Sequence, residues 1–565
     1  MATLTAAVRL AVFVLVLAIV SNSLMSYFRP PAMPIVQTKF GPVRGVVEVG
    51  YENKPIHAFK GIPYAAAPVG PNRWKAPKDP EVWSDVRDAR SWGNMCEQID
   101  PRSGFFEVIS QATGADTTRL EEMSVSMSED CLQLNVFSPD TNTTSKKPVM
   151  VFIHGGALTA GSGQGPYKGI VHQDMVLVTM NYRLGFLGWL AHPELGETNF
   201  GLLDQIKALK WVQHNIEAFG GDPDRVTIFG ESAGGTSVLA LMVSPLSKGL
   251  FHGAIAESPA VFESVDITML NAGRLGVAVG EALDIPAGEG QLQKMRAVPA
   301  SSFTIASMEK AKEGLGPLSS AFMYVDGVSL TTSILQAFEK GIYHKVPLII
   351  GSTADEMKMI KAFGDMIGEV YPTTAESYKE LIKKAFGADA DVALSILPGK
   401  TDQGALESAN QLDTDVVFGT PAYLVAESMA KNQRESACYL YMFTQALPGE
   451  VGENFGAFHA SELPYVFNDT EWFVPMANQE LANSMNTYWT QFARTGDPNT
   501  QNSPKWKAFK GQEWQVLGPE VGSEAIPKER KTIYKLVGDL YPNDASLFMQ
   551  TFWSIRDQHS DQKPH

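Results

Sequence analysis

The pentapeptide Gly230-Glu231-Ser232-Ala233-Gly234 carries the strongest chemical signal in this chain. It directly follows an apolar β-branched run, Val226 to Phe229, and precedes Gly235 to Leu241, a plausible helix. A G-x-S-x-G sequence between strand and helix forms a turn so tight that the serine hydroxyl is pushed out at the carboxyl end of the strand. The five residues alone are a frequent accident and also fit a structural turn; the strand–turn–helix setting makes Ser232 a candidate nucleophile. A phosphate-binding loop is the other glycine-rich option, and no Gly-Lys-Ser or Gly-Lys-Thr follows to support it.

A serine hydroxyl is a weak nucleophile unless a base takes its proton. In the strand–turn–helix arrangement the chain order is nucleophile, acid, histidine. Of ten histidines, only His252, His344, His459, His559 and His565 follow Ser232. The last two lie in a polar tail, His252 immediately precedes the run Ala254–Ala256, and His344 could precede an acid only if that acid lay further on. His459, in the small-residue segment Gly456-Ala457-Phe458-His459-Ala460, is the candidate base. The acid belongs at the exit of a strand between these two, and Pro347–Ile350 followed by Gly351-Ser352-Thr353-Ala354-Asp355-Glu356 supplies one. Adjacency leaves Asp355 and Glu356 as alternatives, the second carboxylate serving a turn or an ion pair. Acyl chemistry also needs donors for an oxyanion. Val149–Ile153 runs into His154-Gly155-Gly156-Ala157, a glycine-rich loop of the kind that offers main-chain N–H groups. Gly156, Ala157 and Ala233 are the expected donors, with Gly155 adjacent; His154 precedes the serine and fits support of this loop.

These residues must be held by a scaffold, and its pattern is legible. The runs Val149–Ile153, Val176–Met180, Val226–Phe229, Ala254–Ala256 and Pro347–Ile350 suit buried strands of a largely parallel sheet. Phe200 to Phe219 places Leu202, Leu203, Ile206, Leu209 and Val212 at helical spacing. Strand and helix alternate, so the fold class is α/β with right-handed crossovers. Residues 262–322 and 358–436 are rich in helix formers and read as helical insertions. At 565 residues the length alone would allow about three or four domains. The widely separated candidates must meet in one pocket, however, so residues 34–555 are expected to form a single domain, followed by a polar tail over 556–565.

Composition excludes several classes. The net charge is −16, from 46 basic and 62 acidic residues, which argues against binding nucleic acid or an anionic membrane. No H-E-x-x-H or paired C-x-x-C pattern appears, so no metal or cofactor is expected. Arg9 and the apolar run Leu10–Val20, followed by Ser21-Asn22-Ser23, suit a signal-peptide core within residues 1–23. Leu24, Met25, Tyr27 and Phe28 extend the apolar character, and an uncleaved signal anchor, with membrane contact through it, is the rival. Secretion is the expected destination. Among three cysteines, Cys96 and Cys131 are the expected pair, and Cys438 lies in an apolar strand-like run that suits a free core thiol. Asn142-Thr143-Thr144 and Asn468-Asp469-Thr470 are sequons, weak support for glycosylation at Asn142 and Asn468.

Further segments carry a family resemblance. Thr38 to Gly45, Phe59 to Tyr64, Ser128 to Val136, Asn181-Tyr-Arg-Leu-Gly185, Gly220-Gly-Asp-Pro223 and Tyr488 to Asn499, with the serine and histidine motifs above, resemble the type-B carboxylesterase/lipase family, which includes cholinesterases. The resemblance covers nearly the whole chain after the leader. It implies the α/β-hydrolase fold, a large mostly parallel sheet flanked by helices. It implies hydrolysis of small-molecule carboxylic esters through an acyl-serine, with Glu356 as the acid and His459 as the base. It also points to Ser258 as a supporting residue and matches Cys96 and Cys131 to the family's first disulfide, whose loop covers the site in some lipases. Two departures bear on substrate. The stretch Glu97–Asp130 holds no tryptophan of the kind on which cholinesterases stack a choline cation, so a choline ester is not the expected preference. The oxyanion loop reads Gly-Ala-Leu where many relatives have three glycines and an aromatic, resembling types that accept bulky alcohols. A lipase acting on long-chain acylglycerols is the nearest alternative, and a non-catalytic adhesion protein the alternative from another class.

Overall fold

The computed structural model describes residues 33–100, 109–110, 113–114, 126–260, 269–304, 323–359, 374–432, 436–469 and 475–540. The expected leader (1–23), the Thr470 of the second sequon and the polar tail (556–565) lie outside them.

An eleven-stranded sheet organises the described chain. Its strands are β1 (Val46–Val49), β2 (Pro55–Pro63), β3 (Gln133–Ser138), β4 (Lys147–Ile153), β5 (Val176–Met180) and β6 (Gly221–Glu231), then β7 (Gly253–Glu257), β8 (Leu348–Thr353), β9 (Cys438–Phe443), β10 (Glu513–Leu517) and β11 (Val521–Ala525). They lie in the order β11-β10-β9-β8-β7-β6-β4-β5-β3-β2-β1. From β10 to β5 every neighbouring pair is parallel, and the pairs beyond, including β10 with β11, are antiparallel. All five strand expectations hold. The one after Pro347 runs further, through Thr353, because Gly351, Ser352 and Thr353 pair with Tyr441, Met442 and Phe443 of β9. That shortens the loop expected to carry the acid to Ala354-Asp355-Glu356.

Buried parallel strands need cover on both faces. On β4, Val149, Val151 and Ile153 join one core cluster, and Met150 and Phe152 join the other. The first face is covered by α1 (Phe200–Asn215) and α2 (Ala233–Val243), whose apolar residues enter the same cluster. Beyond them α3 (Asp402–Thr414) and α4 (Thr420–Asn432) are separated by Asp415–Gly419, a wider π-type turn. On the opposite face lies α5 (Gln479–Thr495), with Leu481, Met485, Tyr488, Trp489 and Phe492 at helical spacing turned to the sheet. Asn478 caps its start by accepting from the Leu481 N–H, and Gly496 closes it in the left-handed region. The last described element is α6 (Lys528–Leu540).

The topology decides where a site can form. From β4 the chain moves outward to β5, then returns to place β6 on β4's other side. Such a reversal opens a crevice at the carboxyl ends of the two strands. Ile153 is in register with Gly230, so the loops leaving β4 and β6 start side by side.

Candidate active site

Ser232 sits between β6 and α2 with φ 58° and ψ −124°, a conformation that a non-glycine residue adopts only when its surroundings enforce it. They do so here. The Ser232 N–H donates to the Glu257 carbonyl at 2.9 Å, and its own carbonyl starts α2 by accepting from Thr236. A side chain at Gly234 would collide with the Ile153 carbonyl, so the elbow must be small where it crosses β4. A Cβ at Gly155 would lie 3.1 Å from the Ser232 Cβ, which shows how closely the β4 loop approaches the nucleophile. Within that loop Ala157 and Leu158 both hold positive φ, 53° and 60°. Among the described residues none of the loop and turn hydrogen bonds uses the N–H of Gly156, Ala157 or Ala233. His154 is buried beneath, stacked on Tyr182 at 4.3 Å, and burial lowers its pKa to about 4, which suits a neutral support for the loop.

The histidine arrives from the loop before a short helix, Leu463–Phe467. Its Nδ1 donates to Glu356 Oε2 at 2.5 Å, and Glu356 Oε1 accepts from the Thr353 N–H at 2.7 Å. The carboxylate acceptor assigns the proton to Nδ1 and leaves the Nε2 lone pair for a substrate-side proton. Nε2 lies 3.1 Å from Glu231 Oε1 without hydrogen-bond alignment. Among the described residues neither it nor the Ser232 hydroxyl is committed to a hydrogen bond, and the two do not bond to each other. Contacts of this kind often tighten only when substrate binds. Phe418, on the π-type turn, packs against the imidazole with ring centroids 4.6 Å apart. Serine, histidine and glutamate are all buried, Glu356 completely.

Spacing leaves Asp355 and Glu356 as alternatives, and in the structure it is Glu356 that meets the His459 ring. Asp355 pairs with Lys358 at 2.7 Å and staples the histidine loop, accepting from the Ala457 N–H at 3.0 Å while its own N–H donates to the Ala457 carbonyl at 3.0 Å. Ser258 follows directly on β7 at φ 45°, its N–H donating to the Gly351 carbonyl. Sequence reasoning missed the rest of the surrounding polar set. Glu231, Glu257 and Glu462 are buried carboxyls. Burial and then the neighbouring carboxyls hold Glu231 and Glu462 well above the usual range, and burial pushes Glu257 up to about 8. Glu257 Oε1 accepts from Trp489 Nε1 at 3.0 Å. Glu231 was legible only as the variable residue of the serine motif, and the other two had no spacing signal. The excluded histidines are occupied elsewhere: His252 accepts from the Val226 N–H, and His344 bonds to the Ser244 carbonyl.

Cys96 and Cys131 form the expected disulfide, and Cys438 is a buried free thiol. Asn142 lies exposed, whereas the half-buried Asn468 uses its amide on Asn483 and Gln479.

A strand-end serine elbow, a glutamate–histidine pair and a reversed parallel sheet define an α/β-hydrolase. More narrowly, the chain belongs to the carboxylesterase family, whose model matches residues 32–532. It is 36% identical to the para-nitrobenzyl esterase of Bacillus subtilis (strain 168), over 88% of this chain and 97% of the relative. It is 34% identical to the cocaine esterase of Homo sapiens, over 89% and 91% of the two chains. A solved para-nitrobenzyl esterase structure superposes with a TM-score of 0.72 at 33% identity, covering 89% of this chain and all of that one. The chain is accordingly a carboxylic-ester hydrolase.

Proposed function

We propose that hydrolysis proceeds through an acyl-Ser232 intermediate, with His459 as the base and Glu356 as its orienting acid. The observation that carries this reading is the 2.5 Å Glu356–His459 hydrogen bond beside the strained Ser232 elbow. His459 Nε2 takes the hydroxyl proton as Ser232 Oγ attacks the ester carbonyl, and Glu356 stabilises the imidazolium. The carbonyl oxygen, now an anion, is held by the N–H groups of Gly156, Ala157 and Ala233. One such donor is typically worth about 3–4 kcal/mol in the transition state. Collapse breaks the bond to the alcohol, which leaves with the proton from His459. Water then repeats the attack on the acyl-enzyme, releasing the acid and restoring Ser232. Ser258 supports this site by ordering the end of β7 beside β8.

The preferred substrates are small-molecule esters other than choline esters, and the Gly-Ala-Leu oxyanion loop favours tolerance of bulky alcohols. The protein acts outside the cytoplasm. Its N-terminal apolar run and the Cys96–Cys131 disulfide support this destination, and Asn142 is the more accessible of the two sequons. Among the described residues no helix is long and apolar enough to cross a membrane; an uncleaved leader would supply the membrane contact. The family-length span supports reading residues 34–555 as one hydrolase domain.

Hydrolysis of p-nitrophenyl esters from acetate to palmitate tests the substrate class. Highest kcat/KM on short chains is expected; a maximum at the longest chains would replace this reading with a lipase.

A further inference from the structure

The oxyanion donors are carried on a loop whose strained residues cannot hold themselves in place, and the structure shows what grips it. The loop leaves β4 at Ile153 and returns through Gly161 and Gly163. Gly161 has φ 109°, and a side chain there would collide with the His154 ring and crowd the Gly155 carbonyl, so its peptide packs directly under the donor-bearing residues. Both polar groups of Gly161 are taken by a single buried side chain, Gln98. The Gly161 N–H donates to Gln98 Oε1 at 2.7 Å, and Gln98 Nε2 donates to the Gly161 carbonyl at 2.8 Å. The same Nε2 also donates to the carbonyl of Cys96 at 3.0 Å.

The other half of the disulfide is tied to the same return. Asn181 Nδ2 donates to the Cys131 carbonyl at 3.2 Å, while its Oδ1 accepts from the Gly163 N–H at 2.7 Å. Each cysteine is thus one amide side chain away from the oxyanion loop. Cys96 reaches Gly161 through Gln98, and Cys131 reaches Gly163 through Asn181. A side-chain amide suits this because it matches a peptide in both donor and acceptor, and burial makes an unmatched group costly.

We infer that Gln98 is a positioning residue for the oxyanion hole, fixing the loop that carries Gly156 and Ala157 to the Cys96–Cys131 disulfide. The inference rests on the assignment of those residues as oxyanion donors. Gln98 touches no reacting atom; it sets where the donors stand, so its loss weakens the tetrahedral state more than substrate binding.

The test compares wild-type protein with Gln98→Ala and with Gln98→Glu, which keeps an acceptor for the Gly161 N–H and loses the donor. Active sites are counted by organophosphate labelling of Ser232, and folding is checked by thermal melting. Per labelled site, kcat on p-nitrophenyl acetate is expected to fall about 10- to 100-fold in Gln98→Ala, short of the loss for deleting a donor outright. KM should change less, and affinity for a trifluoromethyl ketone, which binds as an oxyanion, should fall in parallel with kcat. Gln98→Glu sets an acceptor oxygen against the Gly161 and Cys96 carbonyls and should lose at least as much, and it carries the test should Gln98→Ala not fold. A lower melting temperature with kcat per site and ketone affinity both within twofold of wild type, in either folded variant, would overturn the inference. Failure of the underlying mechanism looks different: wild-type protein would take no label at Ser232.

Discussion

Asp355 shows how a neighbour of a reactive group can matter without touching substrate. It binds both polar groups of the Ala457 peptide, two residues before His459. Gly456 has no room for a side chain beside it. Asp355→Ala should therefore let the imidazole drift and lower kcat on the order of 10- to 100-fold with Ser232 still labelled. Asp355→Asn, which keeps an acceptor for the Ala457 N–H, should lose less; unchanged turnover in Asp355→Ala would show that the loop holds itself. The pair also marks where sequence reading stops at this scale. The serine motif in its strand–turn–helix setting picked out Ser232, and chain order together with a small-residue loop picked out His459 as the candidate base. The division of labour between Asp355 and Glu356 depends on which carboxylate faces the ring after the strand ends, and spacing cannot express that; family resemblance supplied it.

Among the elements, the parallel strands were visible because burial on both faces turns them into continuous apolar runs. The flanking strands β1, β2, β3, β10 and β11 were not, since their mixed composition resembles loop. The contacts that lock elements together were equally hidden. Arg183, just after β5, makes a bidentate pair with Asp204 of α1, both nitrogen–oxygen distances being 2.7 Å, and the Arg183 N–H adds a third bond. Burial raises the Asp204 pKa and the guanidinium opposes that shift. Removing one partner leaves the other charge buried alone, so Asp204→Ala should destabilise by about 3–5 kcal/mol, measurable by urea unfolding. A loss below about 1 kcal/mol would mean that water reaches Arg183. Glu257 links β7 to α5 through Trp489, and its pH behaviour follows from its burial. Its folded-state pKa of about 8 stands above the ordinary 4.5, so its contribution is fully present below pH 4.5 and is lost as pH rises through about 8. Glu257→Gln, permanently neutral and still able to accept from Trp489, should flatten the decline in melting temperature between about pH 5 and 9. An unaltered decline would place the pH dependence in Glu231 and Glu462.

For the molecule as a whole, the strand order matters more than any single contact. By reversing direction between β4 and β6 the sheet brings the glycine-rich loop after β4, the proposed oxyanion loop, and the serine elbow to one crevice. The carboxyl ends of β7 and β8 bring Ser258 and Glu356 beside it, and the disulfide fastens the edge. That disulfide closes a separation of 35 residues, and Cys96→Ser with Cys131→Ser should cost roughly 3–4 kcal/mol in the chain-entropy model. Thermal unfolding with and without the bridge measures it, and equal stability would confine its role to the loop it grips. The whole arrangement has meaning only if Ser232 is the nucleophile. Turnover of p-nitrophenyl acetate by wild-type protein and by Ser232→Ala, each verified as folded, is the most direct test. Activity in wild type and a loss of several powers of ten in the variant, up to roughly a millionfold, is the expected result. Equal turnover by the folded Ser232→Ala protein would contradict it.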